Sequence, residues 1–321
     1  MVAFVFGMKQ LREPDIWWQL LSGRWMLEHG QITHKDMFSY TMQGHKWVNV
    51  KWLYEVIIAS IEKLLGPEGV ILLQSVVNVA IVYLLFRILK LFRIANVEKG
   101  TRFFAIVSAL VFLTLVEYRM AGRPEMISHL MCTLFLFLIW QFPRMEWKQI
   151  IWFLPLQCLW ANMHEGYPVG LVMIGTMIGG SLLAYLIKKD KVYLQQTIRA
   201  LVLFLASVCI ILLNPNGIQL WKQPFEIYRQ VWANKYTTEL FSYKDAEYWT
   251  IQAKIHVGLL VAVCVFWIFK IFQSRKRNTD FKLATPAGLT YLLLIPLFGY
   301  LSLTANRNIP FAQIILLPSV V

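Results

Sequence analysis

Charge is scarce in this chain. Asp, Glu, Lys and Arg together make up 15% of 321 residues, while 58% are hydrophobic and the mean hydropathy is +0.54. So little charge does not suffice for the solvated surface of a soluble domain of this length, and the chain reads as an integral membrane protein. Acid is the scarcer sign, 18 Asp and Glu against 31 Lys and Arg, yet the net charge of +13 does not point to nucleic acid. RNA- and DNA-binding motifs are lacking, and the basic residues sit in short clusters between apolar runs, where they report topology. Cysteine is sparse too: Cys132, Cys158, Cys209 and Cys264 lie singly in apolar stretches, without CxxC or Cys/His spacing, and read as small lipid- or core-facing residues. A glycine-rich phosphate loop is also missing. Gly175, Gly179 and Gly180 fall inside an apolar run and form a small-xxx-small helix-packing face instead.

What is present is a series of long apolar runs. Candidate spans lie at Gly69 to Leu91, Phe103 to Val116, Met126 to Phe142, Ile150 to Trp160, Val169 to Ile187, Ala200 to Leu213, Ile255 to Phe272 and Ala287 to Leu303. The Phe103 and Ile150 runs are short, so their helices are expected to be buried in the bundle or to extend into polar flanks. At both ends an apolar stretch stops short of a span, Met1 to Met8 and Phe311 to Val321, and the expectation is a chain truncated at both ends.

Uncompensated basic residues set the orientation. Arg87, Lys90, Arg93, Lys99 and Arg102 form one cluster and Arg144 with Lys148 a second; Lys188, Lys189, Lys191 and Arg199 form a third, and Lys270, Arg275, Arg277 and Lys282 a fourth. Two spans separate each cluster from the next, so all four fall on one face, the cytoplasmic one. The opposite face carries Glu13 and Asp15, Arg119 and Arg123, His164 and Glu165, the long segment Asn214 to Trp249, and Arg307.

Two regions follow. Residues 1–66 form an outer first loop with an acidic motif and juxtamembrane helices; residues 67–321 form a transmembrane helix bundle with an aromatic-rich outer loop at 214–250. In the first region, Asp15 to His29 reads as an amphipathic interfacial helix, with Ile16, Leu20, Leu27, Trp17 and Trp18 on broad apolar faces. Asp15 is its N-cap or first-turn acid, and Gly30 its stop. Asp36 to Val50 suggests an irregular or hairpin-like segment, and Trp52 to Leu65 a helix that we read as juxtamembrane in preference to crossing. The aromatics of the outer loop read mainly as an interfacial belt, although such rings also stack on sugars.

Glu13 and Asp15 are two residues apart, so on an extended segment both carboxylates face one way and can share a proton or a cation. The bland alternative is a helix cap beside a solvated acid. Arg119, Arg123, His164 and Arg307 are the cationic or donor groups on the same face, whereas arginines at helix ends also snorkel. His29, His34, His45, His129 and His256 read as structural or exposed.

The runs Glu13-Pro14-Asp15-Ile16-Trp17-Trp18-Gln19-Leu20, Asp36-Met37-Phe38-Ser39-Tyr40-Thr41 and Trp52-Leu53-Tyr54-Glu55 resemble a widespread group of bacterial multi-pass proteins showing DPDxWWHL, DPFSxT and HEWLxE. That group is regarded as part of the GT-C superfamily of polyprenyl-phosphate-sugar-dependent glycosyltransferases. The likeness continues through Arg123-Pro124, Trp160-Ala161-Asn162-Met163-His164, Leu213-Asn214-Pro215-Asn216-Gly217 and Arg307-Asn308-Ile309-Pro310. The acidic first-loop motif also resembles that of oligosaccharyltransferase catalytic subunits, without their WWDxG signature. Gln19 and Asn308 stand where the group has His, and Lys51 where it has Glu or a nearby His.

The resemblance implies an all-α, polytopic transmembrane bundle of GT-C type in the bacterial cytoplasmic membrane. It implies an inverting enzyme that moves a sugar from a polyprenyl-phosphate donor to a saccharide or protein acceptor of the cell envelope. Asp15 would be the general base, assisted by Glu13 or Asp36, either of which can hold a divalent cation. Arg119, Arg123, His164 and Arg307 would receive the lipid phosphate, with Trp18 among the substrate-binding residues. Membrane lipid is the other expected partner, and nucleic acid is not one. The rivals are a transporter or flippase of lipid-linked saccharides and an inactive scaffold. A transporter needs polar residues deep in its spans, which read as nearly free of them.

Overall fold

A computed structural model describes residues 2–11, 13–92, 107, 110–116, 119, 122–141, 146–226, 229, 237–276 and 284–319. Among these residues the protein is all-helical. The helices are α1 (Val2–Gly7), α2 (Asp15–His29), α3 (Trp52–Leu65), α4 (Pro67–Phe92), α5 (Glu125–Gln141), α6 (Trp147–Met163), α7 (Pro168–Lys188), α8 (Lys191–Ile210), α9 (Ile251–Lys276), α10 (Pro286–Thr304) and α11 (Ile309–Leu316).

Five of the described helices are long and apolar enough to cross a membrane: Pro67–Leu91, Pro168–Lys188, Lys191–Leu213, Ile251–Ser274 and Pro286–Thr304. The chain is a multi-pass membrane protein. Three of the eight expected spans fare differently. The Met126 run lies on the 17-residue helix α5, shorter than those five. The Ile150 run lies on α6, which also has 17 residues and contains Pro155 and the buried Gln157. The Phe103 run falls mostly outside the described residues, although Phe112, Leu113, Leu115 and Val116 are buried.

The span expected from Ala200 begins nine residues earlier. Asp190 caps α8 by accepting a hydrogen bond from the Val192 amide (2.9 Å), so Lys191 to Arg199 is helical, and only Lys189 and Asp190 connect α7 to α8. The spans are also less apolar inside than their sequence suggests. Gln74, Ser75 and Asn78 of α4 are buried against α1, and His256 of α9 lies buried between Ser302 and Gln313. Helix packing turns these side chains inward, which a hydropathy reading averages away.

Two aromatic contacts align the basic ends. The Arg87 guanidinium lies 5.7 Å from the Phe137 ring, pairing the C-terminal halves of α4 and α5, and that of Arg199 lies 5.9 Å from Trp147. At the other end, a chain of polar contacts fastens the first region to the bundle. Trp52 Nε1 donates to Asn162 Oδ1 (2.9 Å), Asn214 Nδ2 donates to Ala161 O (2.9 Å), and Asn216 Nδ2 donates to Asn49 O (3.1 Å).

In the first region α2 packs on α3 so closely that a Cβ on Gly23 would meet Glu55 O at 2.1 Å. That contact decides which face of α2 is buried. Ile16, Gln19, Leu20, Ser22, Gly23 and Met26 face inward, whereas Trp17, Leu21 and Leu27 are exposed. The expected grouping of Leu27 and Trp17 with Ile16 and Leu20 is therefore corrected: two apolar stripes exist, and one is free to meet the membrane interface. Gly30 ends α2 in the left-handed region, φ 63°. Asp36 to Val50 is irregular and hairpin-like: Lys35 pairs antiparallel with Lys46, and Gly44 turns at φ 81°.

Candidate functional site

Residues far apart in sequence meet at the end of the bundle opposite the basic clusters. Arg119 Nη1 lies 3.3 Å from Glu125 Oε2 and 3.0 Å from Glu239 Oε1. Arg123 pairs with both Glu13 and Glu239, and Arg307 Nε lies 3.8 Å from Glu125 Oε1. One ion-pair network thus runs Glu13, Arg123, Glu239, Arg119, Glu125, Arg307. Glu125 stands in the first turn of α5, where a carboxylate suits the helix dipole. Arg119 and Glu125 are almost wholly buried, at 3% and 6% side-chain exposure, so their pairing is screened little by solvent. Burial opposes ionisation of Glu239, yet Arg119 and Arg123 hold its carboxyl below the usual range. Burial likewise works against the Arg123 cation, but its bonds to Glu13 and Glu239 raise its pKa.

His164 borders this network in a defined protonation state. Trp160 Nε1 donates to Ser128 Oγ (2.6 Å), which leaves the serine proton for His164 Nδ1, also at 2.6 Å. The Gly166 amide, which can only donate, points at the same Nδ1 from 3.0 Å. Nδ1 is therefore an acceptor and the proton resides on Nε2. Burial first, with help from Arg307, Lys51 and His129, pushes the His164 pKa well below its ordinary value in spite of Glu125. The ring is a neutral N–H donor.

The remaining candidates lie outside the ion pairs. Asp15 is the exposed first residue of α2 and accepts a bond from Trp18 Nε1 (3.3 Å). It is a first-turn acid; the cap position belongs to Pro14, whose αR backbone makes this stretch helical and not extended. Glu13 and Asp15 consequently do not form the parallel pair that an extended strand would give, and Glu13 is engaged by Arg123. Trp18 meets Trp47 edge-on at 5.6 Å, and Lys51 Nζ lies 5.4 Å from its ring while pairing with Glu165 (3.4 Å). Asp36 folds its own loop, accepting from the amides of Phe38 (3.0 Å) and Ser39 (2.9 Å) and from the Ser39 hydroxyl (2.7 Å). These bonds lower its pKa.

No protein-family profile, curated protein or solved structure matches the chain. The site's chemistry therefore rests on its own geometry.

A divalent cation fits that geometry poorly. Among the described residues no three His, Cys, Asp or Glu side chains gather as a metal site, and Glu13 and Asp36 are committed to Arg123 and to the Asp36 loop. The network is suited instead to an anion met by guanidinium groups and a neutral N–H.

Sequence reasoning missed four members of the site. Glu125, Ser128 and His129 had one available signal: they follow Arg123-Pro124 at helical spacing on the first turns of α5, and His129 is electrostatically coupled to Glu125. Glu239 had none, since it sits in a loop whose aromatics dominate its pattern. Of the residues that carry the resemblance, Asn162, Asn214, Asn216 and Trp52 form the polar fastening described above.

Proposed function

We propose that this multi-pass membrane protein is an inverting glycosyltransferase of GT-C type. It moves a sugar from a polyprenyl-phosphate donor to a cell-envelope acceptor, saccharide or protein, at the outer face of the bacterial cytoplasmic membrane. The observation that carries this reading is the convergence of Glu13, Arg119, Arg123 and Arg307 beside His164, at the bundle end that bears the acidic first-loop motif. Glu13 ties the segment bearing Asp15 to that network. In the proposed reaction the exposed Asp15 carboxylate takes the proton of an acceptor hydroxyl, whose oxygen attacks the anomeric carbon as the lipid phosphate leaves. The arginines and the Nε2–H of His164 stabilise the negative charge that builds on that leaving group. Trp18, stiffened by Trp47 and Lys51, offers a ring for stacking on a sugar.

The test is transfer from a radiolabelled polyprenyl-phosphate sugar by the full chain and by its Asp15→Asn variant. The expected loss is about 100- to 10,000-fold; transfer unchanged in the variant removes Asp15 as the base. A flippase of lipid-linked saccharides is the second reading, favoured by the buried Gln74, Asn78, His256 and Gln313 within apolar helices. Its signature is movement of the labelled lipid between leaflets without any transfer by the wild-type protein.

A further inference from the structure

We infer that Arg119 and Arg123 form a seat for a monoanionic phosphodiester, and that the Glu239 carboxylate fills this seat until the ligand displaces it. The inference deepens the proposed function and rests on its lipid-phosphate donor. Its geometric basis is the convergence of two guanidinium groups on one atom: Nη1 of Arg119 (3.0 Å) and Nη1 of Arg123 both contact Oε1 of Glu239. An oxygen addressed by two arginines is the position that a non-bridging phosphoryl oxygen takes in an arginine-lined site.

Burial separates Glu239 from Glu125. Glu125, 6% exposed, is shared by Arg119 and Arg307 and stands on the first turn of α5, so it is a fixed neutraliser. Glu239 is 30% exposed, the most open member of the Arg119, Arg123 and Glu239 group, and is carried by the short turn Thr238–Leu240. Just beyond that turn the chain is pinned, with the Asn306 amide donating to Phe241 O (3.1 Å) and the Tyr243 amide to Leu303 O (2.8 Å). Withdrawal of Glu239 by side-chain rotation leaves that anchoring of the segment intact.

Charge balance names the ligand class. Arg119, Arg123 and Arg307 are matched by Glu13, Glu125 and Glu239, and removing Glu239 leaves one positive charge in excess. A phosphodiester carries one negative charge, so it restores neutrality, whereas a neutral saccharide does not. An uncompensated buried guanidinium is costly, which explains why the empty seat is kept filled from within the chain. The same exchange favours release after transfer, when the returning carboxylate competes with the product phosphate.

The experiment is calorimetric titration of the full chain in zwitterionic nanodiscs with two probes, dioctyl phosphate as a lipid-borne phosphodiester and diethyl phosphate as a free one. Glu239→Gln is expected to bind dioctyl phosphate about 10-fold more tightly than wild type, because a competitor has been removed. Glu247→Gln, at an exposed acid of the same outer loop that takes no part in the ion-pair network, raises net charge equally and is expected to gain less than about 3-fold. Equal gains in both variants, or no gain in Glu239→Gln while wild type binds, overturn the proposal and leave a phosphodiester site intact. No binding of either probe by any variant overturns the phosphate part of the proposed function as well. Diethyl phosphate bound as tightly as dioctyl phosphate assigns the seat to a soluble phosphodiester and overturns the lipid donor as its occupant. If Glu239→Gln does not fold, Glu239→Asp keeps the charge with a shorter reach; tighter binding supports the competition and unchanged binding overturns it.

Discussion

Glu55 is fully buried between α2 and α3, where its Oε2 accepts from Ser22 Oγ (2.7 Å) and Asn49 Nδ2 (2.6 Å) while Oε1 has no hydrogen-bond partner among the described residues. Burial pushes its carboxyl up to about 7, against the pull of those two donors and of Lys51. The folded protein therefore holds a proton that the unfolded chain releases above pH 4.5, its ordinary value. Between these limits the contribution of Glu55 to stability falls as pH rises, and it levels off above about 7, a total on the order of 3 kcal/mol. Glu55→Gln keeps an oxygen for both donors and carries no charge. The wild-type thermal midpoint minus that of Glu55→Gln is expected to fall between pH 4.5 and 7.5, a difference that cancels the opposite contribution of groups common to both, such as the buried neutral His164; a difference that rises over this range contradicts the assignment. Asp36 shows the opposite environment, a half-buried turn in which the Ser39 hydroxyl and the turn's own amides favour the charged form. The two carboxylates illustrate how surroundings, not residue type, set the state of an acid.

At the scale of helices, close approach depends on glycine at particular positions. Helices in a bilayer gain little from burying apolar surface against one another, so van der Waals fit decides which pairs associate. Gly180 of α7 faces α10 where a Cβ would stand 2.3 Å from Thr290 Oγ1 and 2.5 Å from its backbone nitrogen. That backbone cannot yield without moving the helix. Gly180→Ala is expected to destabilise the bundle by about 1–3 kcal/mol, read as a lower thermal midpoint in detergent. Gly258→Ala on α9 has open space around it and is expected to leave the midpoint unchanged. Equal behaviour of the two variants would show that α7 and α10 do not meet as described. The expected packing face of Gly175, Gly179 and Gly180 thus divides: Gly180 makes the tight contact, Gly179 a lesser one with Leu293 at 3.1 Å, and Gly175 only ordinary contact with Phe204 at 3.9 Å.

Across the whole molecule the two ends of the bundle differ in chemistry. One end gathers Arg87, Lys188, Lys189, Lys191 and Arg199, and the other gathers the ion-pair network with its carboxylates. Positive-inside bias predicts that the first faces the cytoplasm. Single cysteines at Thr41 and Lys191, both exposed and introduced on a cysteine-free background, are expected to react on opposite sides. In intact cells a membrane-impermeant maleimide should label Thr41→Cys and spare Lys191→Cys. Labelling of both from outside would overturn the orientation.

How far the sequence reaches depends on which force is involved. Composition and the spacing of basic clusters suffice for a multi-pass helical protein, because partition between lipid and water acts on each run of residues separately. The same reasoning places Glu13, Arg119, Arg123, His164 and Arg307 on one face, and the structure brings them close together there. The pairings themselves are not legible. Arg123 meets Glu239 from 116 residues away, and Glu125 answers two arginines, only because the start of α5, the segment after α10 and the loop before α9 come together. Nor does an alternation of residue types reveal that Gln19 faces inward and Leu27 outward, since that choice belongs to the contact of Gly23 with α3. The sequence by itself determined the membrane, the helices and the face; tertiary packing decided the partners, because ion pairing depends on distances that only the assembled helices set.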